Sequence, residues 1–258
     1  QLQPVVTMPR KAQYDIAAAF GVSPVWIPPL ASVQTLADRV SHYGTTLHHG
    51  EKPMWVSAPL TVHRRCDNPM FRLCNEIAYG SMMVSGVQRR LDDPDNPDLF
   101  DDPHERKISP SHWIDVPART PGTHLQDNQI EELRKQIEQL QAQGVAMSQI
   151  IAISPFRVVA NALGSLRGRY PGLRGGTIHT VQGREADVVF LVLGGDPGAP
   201  GAKAWASSTV NLVNVAASRA KRRLYVIGDR AAWSQYPYFA DLASVLPSEP
   251  QSPMGTVS

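Results

Sequence analysis

Apolar residues along this chain gather in short unbroken runs. The clearest are Ile150-Ile151-Ala152-Ile153, Val188-Val189-Phe190-Leu191-Val192-Leu193 and Leu224-Tyr225-Val226-Ile227, with a weaker one at Trp113-Ile114-Asp115-Val116. Runs that are apolar at successive positions predict strands buried on both faces. Between them the period changes. Over 127–143, Ile130, Leu133, Ile137 and Leu140 recur at helical spacing with Glu, Gln, Lys and Arg between them. That pattern predicts an amphipathic helix, opened by Asp127 or Asn128 as cap and closed by Gly144. Further helices are predicted over 156–167 and 209–220, and a further strand over 177–181. Met70, Leu73, Cys74 and Ile77 predict a helix with one buried face. Nearer the start, 11–48 lean helical with breaks at Pro24, Pro28 and Pro29, and Met54-Trp55-Val56 reads as a short strand. Strands alternating with helices imply an α/β fold: a doubly wound, mostly parallel sheet with helices on both faces.

A length of 258 residues allows one large domain or two small ones. With 42% hydrophobic and 19% charged residues, the composition is that of an ordinary globular protein. No apolar run reaches the roughly 18 residues of a membrane span. The start lacks the basic-then-apolar layout of a signal peptide. No membrane partner is expected, and a reduced cytoplasmic setting is the default. Cys66 and Cys74 are the only cysteines. They argue against a disulfide framework, read as a loop thiol and a core thiol, and carry no expectation of a metal. A net charge of +2 leaves nucleic acid open, because a local basic groove matters more than the total. Residues 92–112 are rich in Asp, Pro, Ser and His without periodicity, and predict a long mobile surface loop. Asp92, Asp93, Asp95, Asp98, Asp101 and Asp102 lack ligand spacing and read as solvated. The Ser/Pro-rich tail, 247–258, is expected to fray.

Candidate chemistry lies between the apolar runs. Thr177-Ile178-His179-Thr180-Val181-Gln182-Gly183-Arg184-Glu185-Ala186-Asp187 leads into the run at 188. Gly183 there permits either a close backbone approach or an unusual φ, and His179 is read as a structural strand residue. Asn214-Val215-Ala216-Ala217-Ser218-Arg219-Ala220-Lys221 leads into the run at 224. Asn214 and Ser218 fall on one helical face, and Lys221-Arg222-Arg223 reads as a solvated basic helix end. Leu60-Thr61-Val62-His63-Arg64-Arg65-Cys66 precedes Pro69, and Ser154-Pro155-Phe156-Arg157 follows the strand at 150. A hydroxyl at a helix start suits either a phosphate or a plain N-cap. No Gly-x-x-x-x-Gly-Lys-Ser/Thr phosphate loop occurs in the sequence.

These elements resemble motifs of the superfamily 1 helicases, in the branch that includes the nonsense-mediated-decay helicase and its bacterial relatives. The segments at 177–187 and 214–221 resemble motifs V and VI, and that at 60–66 resembles motif IV. Gln1-Leu2-Gln3-Pro4-Val5-Val6 is similar to the tail of motif III. The resemblance runs from Gln1 to about Asp229. It implies the second RecA-like motor domain, of the P-loop NTPase type, as a single domain over 1–258 with the first motor domain absent. Arg64 and Arg219 are then the catalytic arginines facing the γ-phosphate of ATP. Gln1, His63, Gly183 and Glu185 lie at the nucleotide, Glu185 accepting from the ribose hydroxyls. His63 stands where the family has an adenine-stacking Tyr, a departure that leaves less stacking area. Asp67 and Asn68 are inserted before Pro69, a second departure. Ser154, Thr177 and Thr180 would touch the nucleic-acid backbone, and Gln182 and Arg184 would couple that groove to ATP.

The implied activity of a complete protein is ATP-driven translocation on nucleic acid, with single-stranded DNA the expected partner. Mg²⁺ would be held by the missing first motor domain, itself the other expected partner. The chain alone is expected to be inactive. Competing readings are a non-catalytic RecA-like module for nucleic acid or protein, an RNA helicase, and a nuclease–helicase fusion.

Overall fold

The computed structural model describes residues 8–23, 26–27, 33–49, 52–57, 61–89, 98–101, 108–181 and 183–248. The chain divides into two compact units, 1–61 and 62–258. Gln1, Gln182 and the tail beyond Ser248 lie outside the described residues.

The first unit holds helix α1 (Arg10–Ala19), helix α2 (Val33–Val40) and an antiparallel hairpin of β1 (Gly44–His49) and β2 (Lys52–Ser57). Asp38, buried near the end of α2, accepts from the Ser57 backbone N–H at 2.9 Å and its hydroxyl at 2.7 Å, which fastens helix to hairpin. The helical expectation for 11–48 fails at 44–49. Thr45 and Thr46 are β-branched, and pairing with Val56 and Trp55 supplies the backbone partners that a helix would otherwise provide.

The second unit is built on a five-stranded, wholly parallel sheet in the order β5-β9-β8-β6-β7. Its strands are β5 (His112–Asp115), β6 (Ile150–Ser154), β7 (Arg174–Thr177), β8 (Ala186–Val192) and β9 (Ala220–Gly228). A two-residue strand β3 (Val62–His63) pairs in parallel with β4 (Val84–Ser85). Helices α3 (Met70–Tyr79), α4 (Asp127–Ala142), α5 (Arg157–Ser165), α6 (Pro200–Ala206), α7 (Asn211–Arg219), α8 (Arg230–Trp233) and α9 (Phe239–Val245) accompany them. With helices on both faces of the parallel sheet, this is the RecA-like α/β architecture. β6 is buried along its whole length, as are most positions of β8 and β9, so their sequences are apolar without alternation. In α3 the buried residues are Met70, Leu73, Cys74 and Ile77, the four that the spacing singled out.

Several local expectations change. α4 is preceded by Gln126, and neither Asp127 nor Asn128 caps it. Gln126 instead turns its buried amide away, accepting from the Arg119 and Thr120 N–H groups, both at 2.8 Å. Gly144 follows α4 at φ +94°. The strand expected over 177–181 is β7, ending at Thr177, and 178–181 turn away from the sheet. Arg174-Gly175-Gly176 enters the strand because α5 packs directly on it: a Cβ at Gly175 would press on the Leu163 carbonyl at 2.6 Å. His179 therefore lies exposed in a turn rather than in a strand.

The acidic segment also differs. Among its described residues, Phe100 and Ile108 are buried, and Asp98 and Asp101 are paired with cations rather than solvated. Lys221-Arg222-Arg223 is the start of β9, not a solvated helix end, and Arg222 and Arg223 are buried. Arg222 meets Asp98 at 2.7 Å and Asp101 at 3.0 Å, and Arg223 meets Asp101 at 2.9 Å. Both guanidiniums also lie over the Phe100 ring. Opposite charge and hydrogen bonds are what permit cations at such depth.

Candidate nucleotide edge and basic cleft

At the leading ends of β8 and β9 the motif-like segments converge. Arg219 ends α7 and Lys221 opens β9, while Glu185 immediately precedes β8. The loop 63–67, between β3 and α3, lies against them because the Asp67 N–H donates to the Lys221 carbonyl at 2.9 Å. Below it, Cys66 and Cys74 rest on carbonyls of α7, those of Ala217 and Asn214. Cys66 is a loop thiol, as expected, but a fully buried one, and burial pushes it up to about 12, so it stays protonated and unreactive. Cys74, the core thiol, is pushed higher still by the same cause.

Glu185 is the hub. One carboxylate oxygen meets Lys221 Nζ at 2.9 Å and the other meets Arg65 Nε at 2.7 Å. The Lys221 hydrogen bond, with Arg65 adding to it, holds the carboxyl below its usual range. Each oxygen keeps a further lone pair for an incoming donor. Arg219 is half-buried. Its Nη1 donates to the Arg184 carbonyl at 3.3 Å, while its buried Nε has no hydrogen-bond partner among the described residues. Burial, then the neighbouring Arg65, lowers its pKa, yet a guanidinium remains charged at any physiological pH. Arg64 is exposed and has no partner among the described residues. His63 lies with its ring 5.3 Å from that of Phe71, and its Nε2 accepts from the Cys66 N–H at 2.8 Å. That bond selects the neutral ring with the proton on Nδ1.

A second feature lies where β7 ends. Thr177 and Thr180 bond each other across one turn: the Thr180 N–H donates to Thr177 Oγ1 at 3.2 Å, and Thr180 Oγ1 donates to the Thr177 carbonyl at 2.9 Å. They border a cleft of about 540 Å³ whose walls include Asn161, Arg167, Arg174 and Arg184. Arg174 is fixed by the carbonyls of Ser148 at 2.8 Å and Glu185 at 3.3 Å. Among the described residues, none of these three arginines pairs with a carboxylate. Gly183 takes φ +86° with open space where a Cβ would stand, so the unusual φ, and not a close approach, is what requires glycine.

Ser154 closes β6. It has no exposed surface, and its Oγ accepts from the Phe156 N–H at 3.3 Å as the chain turns into α5. The structure thus gathers Arg219, Glu185 and the loop bearing His63 and Arg64 at one edge. It places Thr177, Thr180 and Arg184 at the cleft. Sequence reasoning gave no site role to Arg65, Arg167 or Arg174 and read Lys221, which pairs with Glu185, as a solvated helix end. The signal for Lys221 was its position at the head of an apolar run; Arg167 and Arg174 carry no motif.

The fold defines a RecA-like α/β domain. The family model of an AAA domain matches residues 41–231, and the chain belongs to that helicase-like family. No curated protein matches the chain. Family membership implies nucleotide binding. Among the described residues no helix is long and apolar enough to cross a membrane, and no three His, Cys, Asp or Glu gather as metal ligands.

Proposed function

We propose that this chain is the second motor domain of an ATP-dependent nucleic-acid helicase, with single-stranded DNA as its track. It would complete the site of a domain that carries the phosphate loop and holds Mg²⁺. One observation carries this reading. At the edge organised by Glu185, among the described residues, Arg219 has a buried Nε without a hydrogen-bond partner and Arg64 is an exposed guanidinium without a carboxylate. Such donors suit a phosphate oxyanion, because a guanidinium is forked and permanently charged. ATP supplies the phosphoryl group; this chain's part is to bring positive charge to it. Arg219 is held by the Arg184 carbonyl, so it does not need to reorganise far to stabilise charge that develops during transfer. Glu185, ordered by Arg65 and Lys221, is the acceptor offered to ribose. The basic cleft beyond Thr177 and Thr180 supports the nucleic-acid half of the proposal, since uncompensated arginines beside hydroxyls suit a phosphate backbone.

The test uses the full-length protein. Arg64→Ala and Arg219→Ala should each lower nucleic-acid-stimulated ATP hydrolysis, by about 10³-fold or more for a true arginine finger. Affinity for single-stranded DNA should stay near that of the wild type. Loss of DNA affinity in step with hydrolysis would show that these arginines serve the strand, and unchanged hydrolysis would remove them from the phosphate. Tighter binding to RNA than to DNA of the same sequence would reassign the track.

A further inference from the structure

The loop 63–67 presents Arg64, and almost every other polar group in it is fixed. His63 Nε2 takes the Cys66 N–H, and Arg65 Nε meets Glu185. The Arg65 carbonyl accepts from Arg89 Nη2 at 3.0 Å. Asp67 makes the largest number of these attachments. Its N–H is bound to the Lys221 carbonyl of β9. Its Oδ1 accepts from Arg89 Nε at 3.1 Å, and its Oδ2 lies 2.9 Å from Arg222 Nε, an ion pair without hydrogen-bond alignment. Arg222 is itself held by Asp98 and Asp101 and leaves little surface exposed. Arg89 therefore bridges Asp67 to the Arg65 backbone, one residue from Arg64. The side chain of Arg64 alone projects without a partner among the described residues.

We propose that Asp67 is a positioning residue for Arg64: its carboxylate locks Arg89 across the loop and ties the loop to β9 through Arg222. This rests on the reading of Arg64 as phosphate-facing. Asp67 touches no reacting atom in this account. It holds the peptide from which a long, four-bond side chain departs, so that the guanidinium does not have to search for its place. Two features make the carboxylate charge necessary. Each oxygen faces a different guanidinium, and an amide at this position would offer a donor to one of them in place of an acceptor. Arg222 sits at a depth where it depends on counter-charge.

The proposal is tested in the full-length protein by single-turnover ATP hydrolysis with nucleic acid present. Wild type, Asp67→Asn, Arg64→Ala and the double variant are compared. Displacement of a positioned group costs up to about a hundred-fold in rate. Asp67→Asn should therefore slow hydrolysis by about ten- to a hundred-fold, with the Michaelis constant for ATP little changed. In the Arg64→Ala background the same substitution should cost almost nothing further, because residues acting through one group are not additive. Arg89→Gln should reproduce the pattern from a more exposed site, and it takes over the test should Asp67→Asn fail to fold. Wild-type rates in Asp67→Asn or Arg89→Gln would overturn the proposal. So would an equal loss with and without Arg64, the mark of general damage. Arg64→Ala with normal hydrolysis would sink both the proposal and the phosphate reading on which it rests. Impaired Arg64→Ala beside normal Asp67→Asn would sink the proposal alone.

Discussion

A ring nitrogen that accepts a backbone N–H cannot also carry a proton, and His63 commits Nε2 to the Cys66 amide. Burial first, and Arg65 second, hold the His63 pKa below its ordinary value. The unfolded chain thus takes up a proton before the native ring does. This contribution to stability is complete above the unfolded value of about 6.5 and is lost as pH falls through the native pKa. His63→Gln removes the titration. The stability advantage of wild type over His63→Gln, measured by urea unfolding, should therefore shrink between about pH 7 and pH 5. A gap that is constant or grows with acid would show that His63 is not an acceptor in the native loop. At this scale the sequence marked the position but not the neighbour that the fold gives it. His63 stood out as a stacking ring beside Arg64, but its bond to an amide three residues on depends on how the loop closes, and no residue type announces that.

The strand β9 shows what an element can conceal. Its core, Leu224 to Ile227, was legible, as were β6, β8 and α3, because burial on both faces or on one helical face leaves a pattern in apolar spacing. Its first residues were not, because Arg222 and Arg223 look like surface and their acids lie more than 120 positions away. β1 and β7 were misplaced for a related reason. Gly-Thr-Thr-Leu-His-His and Arg-Gly-Gly-Thr carry little apolar signal, and their partners, not their own side chains, make them strands. The buried cations give a prediction at the same scale. Arg223 donates to the Ser109 and Arg222 carbonyls at 2.9 and 3.0 Å as well as to Asp101. Arg223→Ala takes these donors from the two carbonyls and leaves Asp101, which is partly exposed, to Arg222 alone, so the loss should be about 2–3 kcal/mol. Arg223→Lys should recover little, since one ammonium cannot replace a fork. Arg169→Ala, which cuts an exposed pair with Glu138, should cost about 1 kcal/mol or less. Denaturant unfolding of the three variants decides it; equal losses at the two sites would mean that β9 does not depend on its buried charge.

Over the second unit as a whole, charge is sorted in a way that a net value of +2 does not reveal. Cations at the leading ends of β8 and β9 are ordered around Glu185, whereas those of the cleft beside β7 meet no carboxylate among the described residues. The motif-like segments were legible as a set because each precedes an apolar run. The cleft was not, since α5 packs closely on β7 where Gly175 leaves room for the Leu163 carbonyl, a fit that the apolar pattern does not show. If a strand runs there, each phosphate contact contributes about 0.7 to the slope of log affinity against log salt for single-stranded nucleic acid. Arg167→Gln and Arg184→Gln in the full-length protein should each weaken single-stranded DNA binding and reduce that slope by about this amount. Binding curves across a salt series provide the measurement. Weaker binding with an unchanged slope would mean that the arginines shape the cleft without meeting phosphate.

Arg184 belongs to both features. Its side chain borders the cleft while its carbonyl holds Nη1 of Arg219 at 3.3 Å. Under the proposed function this one residue is a thermodynamic hinge, and linkage then imposes a reciprocity. Whatever factor a bound strand applies to nucleotide affinity through this residue, bound nucleotide must apply to strand affinity. Replacing the side chain removes one of the strand's contacts but leaves the carbonyl in place. Such a variant would still bind nucleotide and, more weakly, the strand, yet lose their mutual awareness, a motor whose two halves each work and no longer keep time.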